Sequence, residues 1–244
     1  DIGCTAAPYA DRVLPVSPVY AESIPRTLSE IEPLPLAVVN PGFALMNAFT
    51  YAVGKSIGQT RWGFGIEDKI AQVELLAALP IPETQINAPL ATFPFFVKPA
   101  FAGGSLFVRK ISTAAEFEDW RAAYARKCAE IAHPDKIAAM YVEDKFVSQA
   151  AVTDATYFVF SQCGRYSHVL ERQVDTNYRT CGGRTVENPT VERLGRAALK
   201  CTLPDMALPI GNVDIAQDSE GEYWILEVNP RLGLYDPEIA MLRA

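Results

Sequence analysis

The sequence predicts a folded protein of mixed helix and strand content, and three observations carry that prediction. The chain has 244 residues, of which 49% are hydrophobic and 21% are charged, which is the composition of a folded globular protein. Residues 1–60 alternate short strand and helix patterns, a rhythm typical of a small parallel sheet. Beyond residue 66, hydrophobic spacing predicts further helices and strands, and the last two strands form a hairpin. A chain of this length forms one large or two small domains.

Hydrophobic spacing assigns most of the chain to short helices and strands. Two helix starts carry chemical signals. Glu67 and Asp68 stand in a first turn, where the helix dipole favours negative charge, and Thr113 and Glu116 form a capping box. The predicted helices span residues 20–31, 41–57, 66–79 and 113–131, and a further helix starts at 190. The predicted strands span residues 36–39, 93–97, 106–111, 140–147, 156–161 and 167–173.

Charge and cysteine content exclude several classes of protein. The formal net charge is −7, which repels phosphate backbones and anionic lipid, so we expect neither a nucleic-acid nor a membrane partner. No apolar run is long enough to span a bilayer. The five cysteines are scattered without a CxxC pair, which argues against zinc and disulfides and fits a reducing cytosol, so we expect a cytoplasmic protein. Because the chain begins with Asp1, we also expect that N-terminal residues, and some loop residues, are missing.

Residues 211–229 predict a β-hairpin around the turn 218–221. If Gln217 pairs with Glu222, the following residues lie opposite each other: Asn212 with Glu227, and Asp214 with Ile225. One face is then core and carries Val213, Ile215, Trp224, Leu226 and Val228. The other face is polar and carries Asn212, Asp214, Glu227 and Asn229.

The polar face of the hairpin is a candidate metal site. Asp214 and Glu227 are diagonal neighbours on it, and two carboxylates about 6 Å apart repel each other by roughly 2–3 kcal/mol at an effective dielectric near 20. A divalent cation relieves that repulsion, and an all-oxygen ligand set suits Mg²⁺, which keeps part of its shell for water and substrate phosphate. An ordinary solvated hairpin face is the alternative, and the pattern alone leaves it open.

A second candidate site begins with Lys98, at the end of an apolar strand. Gly103, Gly104 and Ser105 follow in a loop, where glycine lets backbone N–H groups approach an anion and lysine adds a point charge. The segment could therefore clamp a phosphate, although it is not a P-loop because GxxxxGK[ST] is absent. A plain hairpin turn is the alternative reading of this loop.

The order of these segments resembles the ATP-grasp superfamily, in particular the ATP-binding domain of carbamoyl phosphate synthetase and the ATP-grasp amino-acid ligases. The matching segments are Glu67-Asp68-Lys69, Ile81-Pro82-Glu83-Thr84, Val97-Lys98-Pro99, the run from Val142 to Val147, Asn212-Val213-Asp214-Ile215 and Glu227-Val228-Asn229-Pro230-Arg231. The resemblance extends over the whole chain. It implies an ATP-grasp fold of two α+β lobes, preceded by a truncated Rossmann-like α/β domain. The implied domains are residues 1–62 for the preceding domain, 63–140 for the first lobe, and 141–244 for the second lobe with the magnesium site.

The resemblance also implies a role for each site residue. The implied nucleotide-binding residues are Lys69 and Lys98 on the phosphates, Gly103, Gly104 and Ser105 in the phosphate loop, the backbone of Glu143, Asp144, Phe146 and Val147 at adenine, and Asp154 at the ribose. The implied Mg²⁺ ligands, for which Mn²⁺ is an alternative ion, are Asp214, Glu227 and Asn229. Arg231 would steady the transferred phosphate or acyl phosphate as a catalytic residue. The sequence departs from the pattern at Leu106, where relatives have a small residue.

The resemblance implies an ATP-dependent carboxylate–amine ligase that forms an amide through an acyl phosphate and releases ADP and phosphate. The expected partners are a small carboxylic acid, such as an amino acid, and a small amine, and relatives with this layout are often homodimers. Two alternatives stay open, a noncatalytic ATP-binding regulatory module and a carboxylase that works through carboxyphosphate. The two histidines, His133 and His168, are isolated and form no Ser-His-Asp constellation.

Overall fold

The computed structural model describes residues 68–100, 107–131, 144–174, 180–203 and 209–229. The predicted elements of residues 1–60, and with them the Rossmann-like domain expected over 1–62, lie outside these ranges. Five of the predicted site residues also lie outside them: Gly103, Gly104, Ser105, Glu143 and Arg231.

The described ranges form three helices and nine strands. The helices are α1 (Lys69–Leu75), α2 (Ala114–Ile131) and α3 (Pro189–Thr202). The strands are β1 (Thr84–Ile86), β2 (Phe95–Pro99), β3 (Arg109–Ile111), β4 (Phe146–Ala150), β5 (Thr156–Cys163), β6 (Tyr166–Val174), β7 (Thr180–Val186), β8 (Ile210–Gln217) and β9 (Tyr223–Asn229). Within these ranges, no helix is long and apolar enough to cross a membrane.

The strands form two antiparallel sheets, with the orders β1-β4-β2-β3 and β7-β6-β5-β8-β9. The predicted α+β class is therefore confirmed. The predicted strands over 156–161 and 167–173 correspond to β5 and β6, whereas β1 and β7 were not predicted. β4 pairs with β1 and β2, so it belongs to the first sheet although it follows residue 140.

Helix α2 covers the four-stranded sheet, and its start follows the predicted capping box. The Thr113 hydroxyl accepts a hydrogen bond from the Glu116 N–H at 3.2 Å, and the Glu116 carboxylate accepts one from the Ser112 N–H at 2.8 Å. Four apolar residues of α2 are buried and pack with sheet residues into one core made of Phe95, Val97, Ile111, Phe117, Trp120, Tyr124, Cys128 and Phe146 together with Leu90.

Helix α3 covers the five-stranded sheet and forms the second core. It begins one residue before the predicted start, because Asn188 is the N-cap and accepts a hydrogen bond from the Val191 N–H at 3.1 Å. Leu194 and Ala198 of α3 are buried, while Ala197 is only half-buried. Leu76, which follows α1, joins this core, and α1 contacts β9 of the second sheet as well as β4 of the first.

The predicted register of the C-terminal hairpin is wrong by one residue. Gln217 pairs with Tyr223 instead of Glu222, and the register shifts again between Asp214 and Ile215. The predicted pairs of Asn212 with Glu227 and of Asp214 with Ile225 are therefore wrong as well. The observed pairs are Asn212 with Asn229, Val213 with Val228, Asp214 with Glu227, and Ile215 with Ile225.

The register shift between Asp214 and Ile215 is a β-bulge in which Leu226 is the extra residue of β9. An extra residue reverses the alternation of side chains, so Ile225 and Val228 both point into the core and are fully buried. Trp224 and Leu226, predicted as core residues, are only half-buried. The Trp224 indole instead donates a hydrogen bond to the Asp218 carboxylate in the turn, at 2.8 Å.

Gly195 provides a test of how tightly α3 packs on the sheet. A Cβ at this position would lie 2.2–2.6 Å from atoms of the Phe160 side chain. We therefore expect Gly195→Ala to lower the free energy of unfolding by about 1–2 kcal/mol, because overpacking outweighs the higher helix propensity of alanine. Chemical denaturation measures the change. Arg193→Ala, at an exposed position of the same helix, should change stability by less than about 0.5 kcal/mol, and an equal loss in both variants would contradict the close contact.

Candidate functional site

Five of the predicted site residues come together between the two sheets. Asp214, Glu227 and Asn229 lie on the face of the five-stranded sheet that does not pack against α3. Lys69 reaches this face from the first residue of α1, and Lys98 reaches it from β2 of the other sheet. The structure therefore groups the lysines and the acidic hairpin face that the sequence predicted separately.

Asp214 is bound from two sides. One of its oxygens pairs with the Arg172 guanidinium from β6, and the other accepts a hydrogen bond from the Asn229 amide at 3.1 Å. Glu227 lies directly opposite Asp214 across the strand pair, rather than diagonally as predicted. Directly opposed residues are closer than diagonal ones, so the two carboxylates repel more strongly than the predicted register implied.

Lys69 pairs with Glu227. Its Nζ lies 3.1 Å from Glu227 Oε1, and the lysine is only 6% exposed. The backbone of Lys69 is held as well, because its N–H donates to the Ala100 carbonyl after β2 at 3.1 Å. Asp68 caps the helix by accepting a hydrogen bond from the Ile70 N–H at 2.9 Å. The short helix α1 thus aims a buried lysine at the acidic pair from a fixed position.

Lys98 is held by groups from both sheets. Its Nζ donates to Gln149 Oε1 on β4 at 2.6 Å and lies 3.5 Å from the Leu226 carbonyl. Leu226 is the bulged residue of β9, so the bulge brings a backbone acceptor to the lysine of the opposite sheet. A pocket opens beside these groups, and its lining is Lys69, Gln72, Val73, Leu76, Ile81, Thr84, Lys98, Val147, Gln149, Ile225 and Leu226.

Burial shifts two of these groups away from their charged forms. Desolvation lowers the pKa of Lys98, and the charge of Lys69 lowers it further, whereas Glu227 and Asp214 oppose the shift. Desolvation also raises the pKa of Asp214, against the opposing effect of Arg172. Perturbed pKa values caused by burial and by specific charge partners are common at functional sites. The cluster is therefore a set of charged groups that are costly to bury unless a ligand compensates them.

The acidic groups fit a magnesium ion in chemistry and access. Asp214, Glu227 and Asn229 provide two carboxylates and an amide, and the two acidic side chains remain 23% and 24% exposed. Mg²⁺ typically binds through one or two protein carboxylates and takes other ligands from water and phosphate. Among the described residues, no group of three or more His, Cys, Asp or Glu side chains is placed to hold a metal, so a site here would have this smaller carboxylate set.

Of the described residues expected to hold adenine, one lines the pocket and the others are bonded to residues outside the acidic cluster. The Val147 side chain lines the pocket beside Lys98. Both backbone groups of Phe146 are bonded to Asn87, with its N–H on Asn87 Oδ1 at 2.9 Å and its carbonyl accepting from the Asn87 N–H at 3.0 Å. Asp144 forms a bidentate pair with Arg121 on α2, at 2.6 and 2.7 Å, away from the acidic pair. Asp154 lies in the turn between β4 and β5 with φ +50°.

Sequence reasoning missed three polar residues of this cluster. Arg172 was assigned only to a strand, yet it pairs with Asp214. Gln149 binds Lys98, and Gln72 forms two hydrogen bonds to the backbone of Val228. A signal exists for Gln72, since it follows Lys69 by three residues and so lies on the same helix face. The alternation of β6 indicates which face Arg172 occupies, but it does not indicate a partner.

Relatives of known function resemble this chain in sequence. It is 28% identical over 159 residues to the D-alanine–D-alanine ligase of Pseudomonas fluorescens (strain Pf0-1), an alignment that covers 62% of this chain and 46% of that protein. The chain spans about half the length of the curated relatives it matches. No protein-family model matches the sequence.

Solved structures resemble this chain in fold over a larger share of its length than the sequence relative does. An L-amino acid ligase from Bacillus licheniformis superposes with a TM-score of 0.60 and 15% identity, covering 87% of this chain and 52% of that one. A biotin carboxylase from Campylobacter jejuni, solved in complex with an ATP analogue, gives a TM-score of 0.60 and 13% identity, covering 91% and 55%. These similarities confirm the resemblance to the ATP-grasp superfamily, and the fold of the described lobes is the ATP-grasp fold.

The pair of Arg172 and Asp214 provides a test of the electrostatics of the site. Arg172→Met removes the cation beside a poorly solvated carboxylate, so we expect a loss of about 2–3 kcal/mol in the free energy of unfolding, measured without metal or nucleotide. Adding Asp214→Asn should restore part of that loss in a double-mutant cycle. Because burial raises the pKa of Asp214, the loss should shrink as the pH falls and the carboxyl takes up a proton.

Arg184→Met is the matched control for this prediction. Arg184 lies on the neighbouring strand β7 and pairs with Glu171, but its side chain is 74% exposed. Its removal should cost less than about 1 kcal/mol, because an exposed ion pair contributes little. Equal effects of the two arginine variants, or no recovery in the double variant, would contradict the described role of Arg172.

Proposed function

We propose that this chain, which has the ATP-grasp fold, is the nucleotide-binding part of an ATP-dependent carboxylate–amine ligase. The observation that carries the proposal is the cluster in which Lys69, Lys98 and Arg172 surround the opposed carboxylates of Asp214 and Glu227. The ligases among its sequence relatives support the reaction class. The reaction would join a small carboxylic acid, such as an amino acid, to a small amine.

Charge complementarity supports a triphosphate ligand. The chain carries a net charge of −7, yet the cluster holds three cationic side chains and two carboxylates, so it is locally positive when all five are charged. A triphosphate brings several negative charges, which would compensate the poorly solvated lysines and hold Lys98 in its charged form. A neutral or cationic ligand offers no such compensation.

Magnesium completes the charge balance in this proposal. Asp214, Glu227 and Asn229 would hold the ion, and Mn²⁺ could replace it because both ions favour oxygen ligands. The bound ion would neutralise charge on the β- and γ-phosphates during transfer. The lysines would act on the same phosphates, Lys98 from β2 and Lys69 from α1, once the triphosphate competes with their present partners Gln149 and Glu227.

The proposed reaction has two steps. A carboxylate oxygen of the first substrate attacks the γ-phosphorus, and the bond from that phosphorus to the oxygen bridging the β- and γ-phosphates breaks, which releases ADP and leaves an acyl phosphate. The amine nitrogen of the second substrate then attacks the acyl carbon, loses a proton and displaces phosphate. Positioning and electrostatic stabilisation, rather than a protein nucleophile, are the main requirements of the first step.

Several finer assignments belong to the same proposal. We assign residues 1–62 to a partial Rossmann-like domain, 63–140 to the first lobe and 141–244 to the second, with β4 contributing to the sheet of the first lobe. Arg231 would steady the transferred phosphoryl group, and Gly103, Gly104 and Ser105 would cover it. The segment from Glu143 to Val147 would contact adenine, and Asp154 would contact the ribose. A homodimer and a cytoplasmic location complete the proposal.

A carboxylase is the second candidate. The described fold is shared with the biotin carboxylase structure, so an enzyme that activates bicarbonate as carboxyphosphate would be built on the same lobes. A noncatalytic nucleotide-binding module is a further outcome that the test below includes. Fold alone does not decide between these activities, because the acceptor substrate is recognised by side chains outside the nucleotide cluster.

The decisive experiment measures ADP and phosphate release by the full-length protein with MgATP. Release that depends on a pair of amino acids, together with an amide product found by mass spectrometry, supports the ligase. Release that depends on bicarbonate instead identifies the carboxylase. Neither release, with a melting temperature raised by MgATP, identifies the binding module. A ligand at 100 times its dissociation constant adds about 2.7 kcal/mol of stability, so an unchanged melting temperature would refute a nucleotide site.

Glu227→Gln tests the metal role within this reaction. The glutamine can still accept a hydrogen bond from Lys69, but it lacks the charge that would bind Mg²⁺, so we expect Mg²⁺-dependent turnover to fall about 100-fold or more. Asp218→Asn is the control, because Asp218 is a carboxylate of the same hairpin that bonds only its own turn and Trp224 among the contacts described. Equal turnover in Glu227→Gln and wild type would remove Glu227 from the site.

A further inference from the structure

The backbone at the outer edge of β9 is bound by the Pro80 carbonyl, which accepts a hydrogen bond from the Ile225 N–H at 2.8 Å, and by one side chain of α1. β9 is the last strand of the five-stranded sheet as described, so its far edge has no strand partner there. The Gln72 carboxamide occupies this edge at Val228, where its Nε2 donates to the Val228 carbonyl at 2.8 Å and its Oε1 accepts from the Val228 N–H at 2.9 Å. A primary amide with one donor and one acceptor can replace a neighbouring strand at a single residue.

Val228 lies between two of the proposed magnesium ligands. Its backbone position fixes where the side chains of Glu227 and Asn229 leave the strand, because successive residues of a strand alternate between its faces. The bulge at Leu226 interrupts the regular pairing of β9 with β8 just before these residues. A strand with a disrupted ladder on one side depends more on the contacts of its other side.

Both halves of the contact are shielded from water. Gln72 is 4% exposed and Val228 is fully buried, so the two hydrogen bonds between them lie in the interior of the protein. The same helix also supplies Lys69, one turn earlier, which pairs with Glu227. Helix α1 therefore contacts two consecutive residues of β9, the side chain of one and the backbone of the next.

We propose that Gln72 is a positioning residue for the metal site: its amide fixes the backbone of β9 at Val228 so that Glu227 and Asn229 are held toward Asp214. The proposal rests on the function proposed above and assigns this role to a residue outside the predicted site. In this scheme Gln72 is not a metal ligand, because both the donor and the acceptor of its amide are bonded to the Val228 backbone. It acts through the strand, as outer-shell partners of metal ligands do elsewhere.

The test measures metal affinity apart from turnover. Mn²⁺ binding is followed by electron paramagnetic resonance in the presence of a nonhydrolysable ATP analogue. Gln72→Met keeps the size of the side chain and loses the amide, while Gln72→Asn keeps the amide and loses its reach. We expect the Mn²⁺ dissociation constant to rise about 10-fold in each variant, the size of effect seen when outer-shell partners are removed. We also expect faster hydrogen exchange of the Val228 amide.

Thr202→Val is the matched control. Thr202 is fully buried in α3, and its hydroxyl donates to the Ala198 carbonyl at 2.9 Å, so the variant loses a buried side chain-to-backbone bond that lies within α3. It should lower the melting temperature and leave the Mn²⁺ dissociation constant within about two-fold of wild type.

The outcomes separate this inference from the proposed function. If wild type binds Mn²⁺ with the analogue and both Gln72 variants bind it equally well, the positioning role is wrong while the proposed function stands. If Gln72→Met does not fold, Gln72→Asn decides the question on the same measurement. If Thr202→Val weakens Mn²⁺ binding as much as the Gln72 variants do, the effect is one of general stability and the inference is overturned. If wild type binds neither Mn²⁺ nor nucleotide, the proposed function itself fails, and the positioning role fails with it.

Discussion

The close approach of Asp214 and Glu227 governs the architecture of the site. Two carboxylates on directly opposed residues of neighbouring strands repel each other, and partial burial increases that cost. The protein compensates the pair with Arg172 from β6, Lys69 from α1 and Lys98 from the other sheet. Three elements that are distant in sequence therefore converge on one strand pair, and Lys98 links the two sheets there.

Much of the fold and part of the site were predictable, for identifiable physical reasons. Helix α2 was predicted well because its capping box and apolar periodicity are local properties of the sequence. The grouping of Asp214, Glu227 and Asn229 on one face also followed from local alternation. Lys98 was a candidate from its place at the end of an apolar strand before a glycine loop, whereas Lys69 was assigned to the site through a resemblance of motif order. That resemblance contributed what local pattern could not, namely that two separate candidate sites face each other.

The failures of prediction have a different cause. A β-bulge is a property of two strands together, so nothing in the alternation of β9 alone indicates that Leu226 is an extra residue. The predicted core positions Trp224 and Leu226 failed for that reason. Arg172 was missed because an arginine on a strand is usually a solvated side chain. Its partner Asp214 lies 42 residues away in sequence, beyond the reach of local reasoning.

The contact between Gln72 and Val228 also constrains when the site can form. It joins residues 156 positions apart, and ordering so long a stretch of chain carries an entropic cost that many other contacts must offset first. Topologies rich in such distant pairings fold slowly, and during synthesis Val228 leaves the ribosome well after Gln72. A nascent chain that ends before β9 lacks Val228, which Gln72 of α1 binds, and Glu227, which pairs with Lys69. The pocket between the sheets is therefore complete only once β9 has joined the five-stranded sheet.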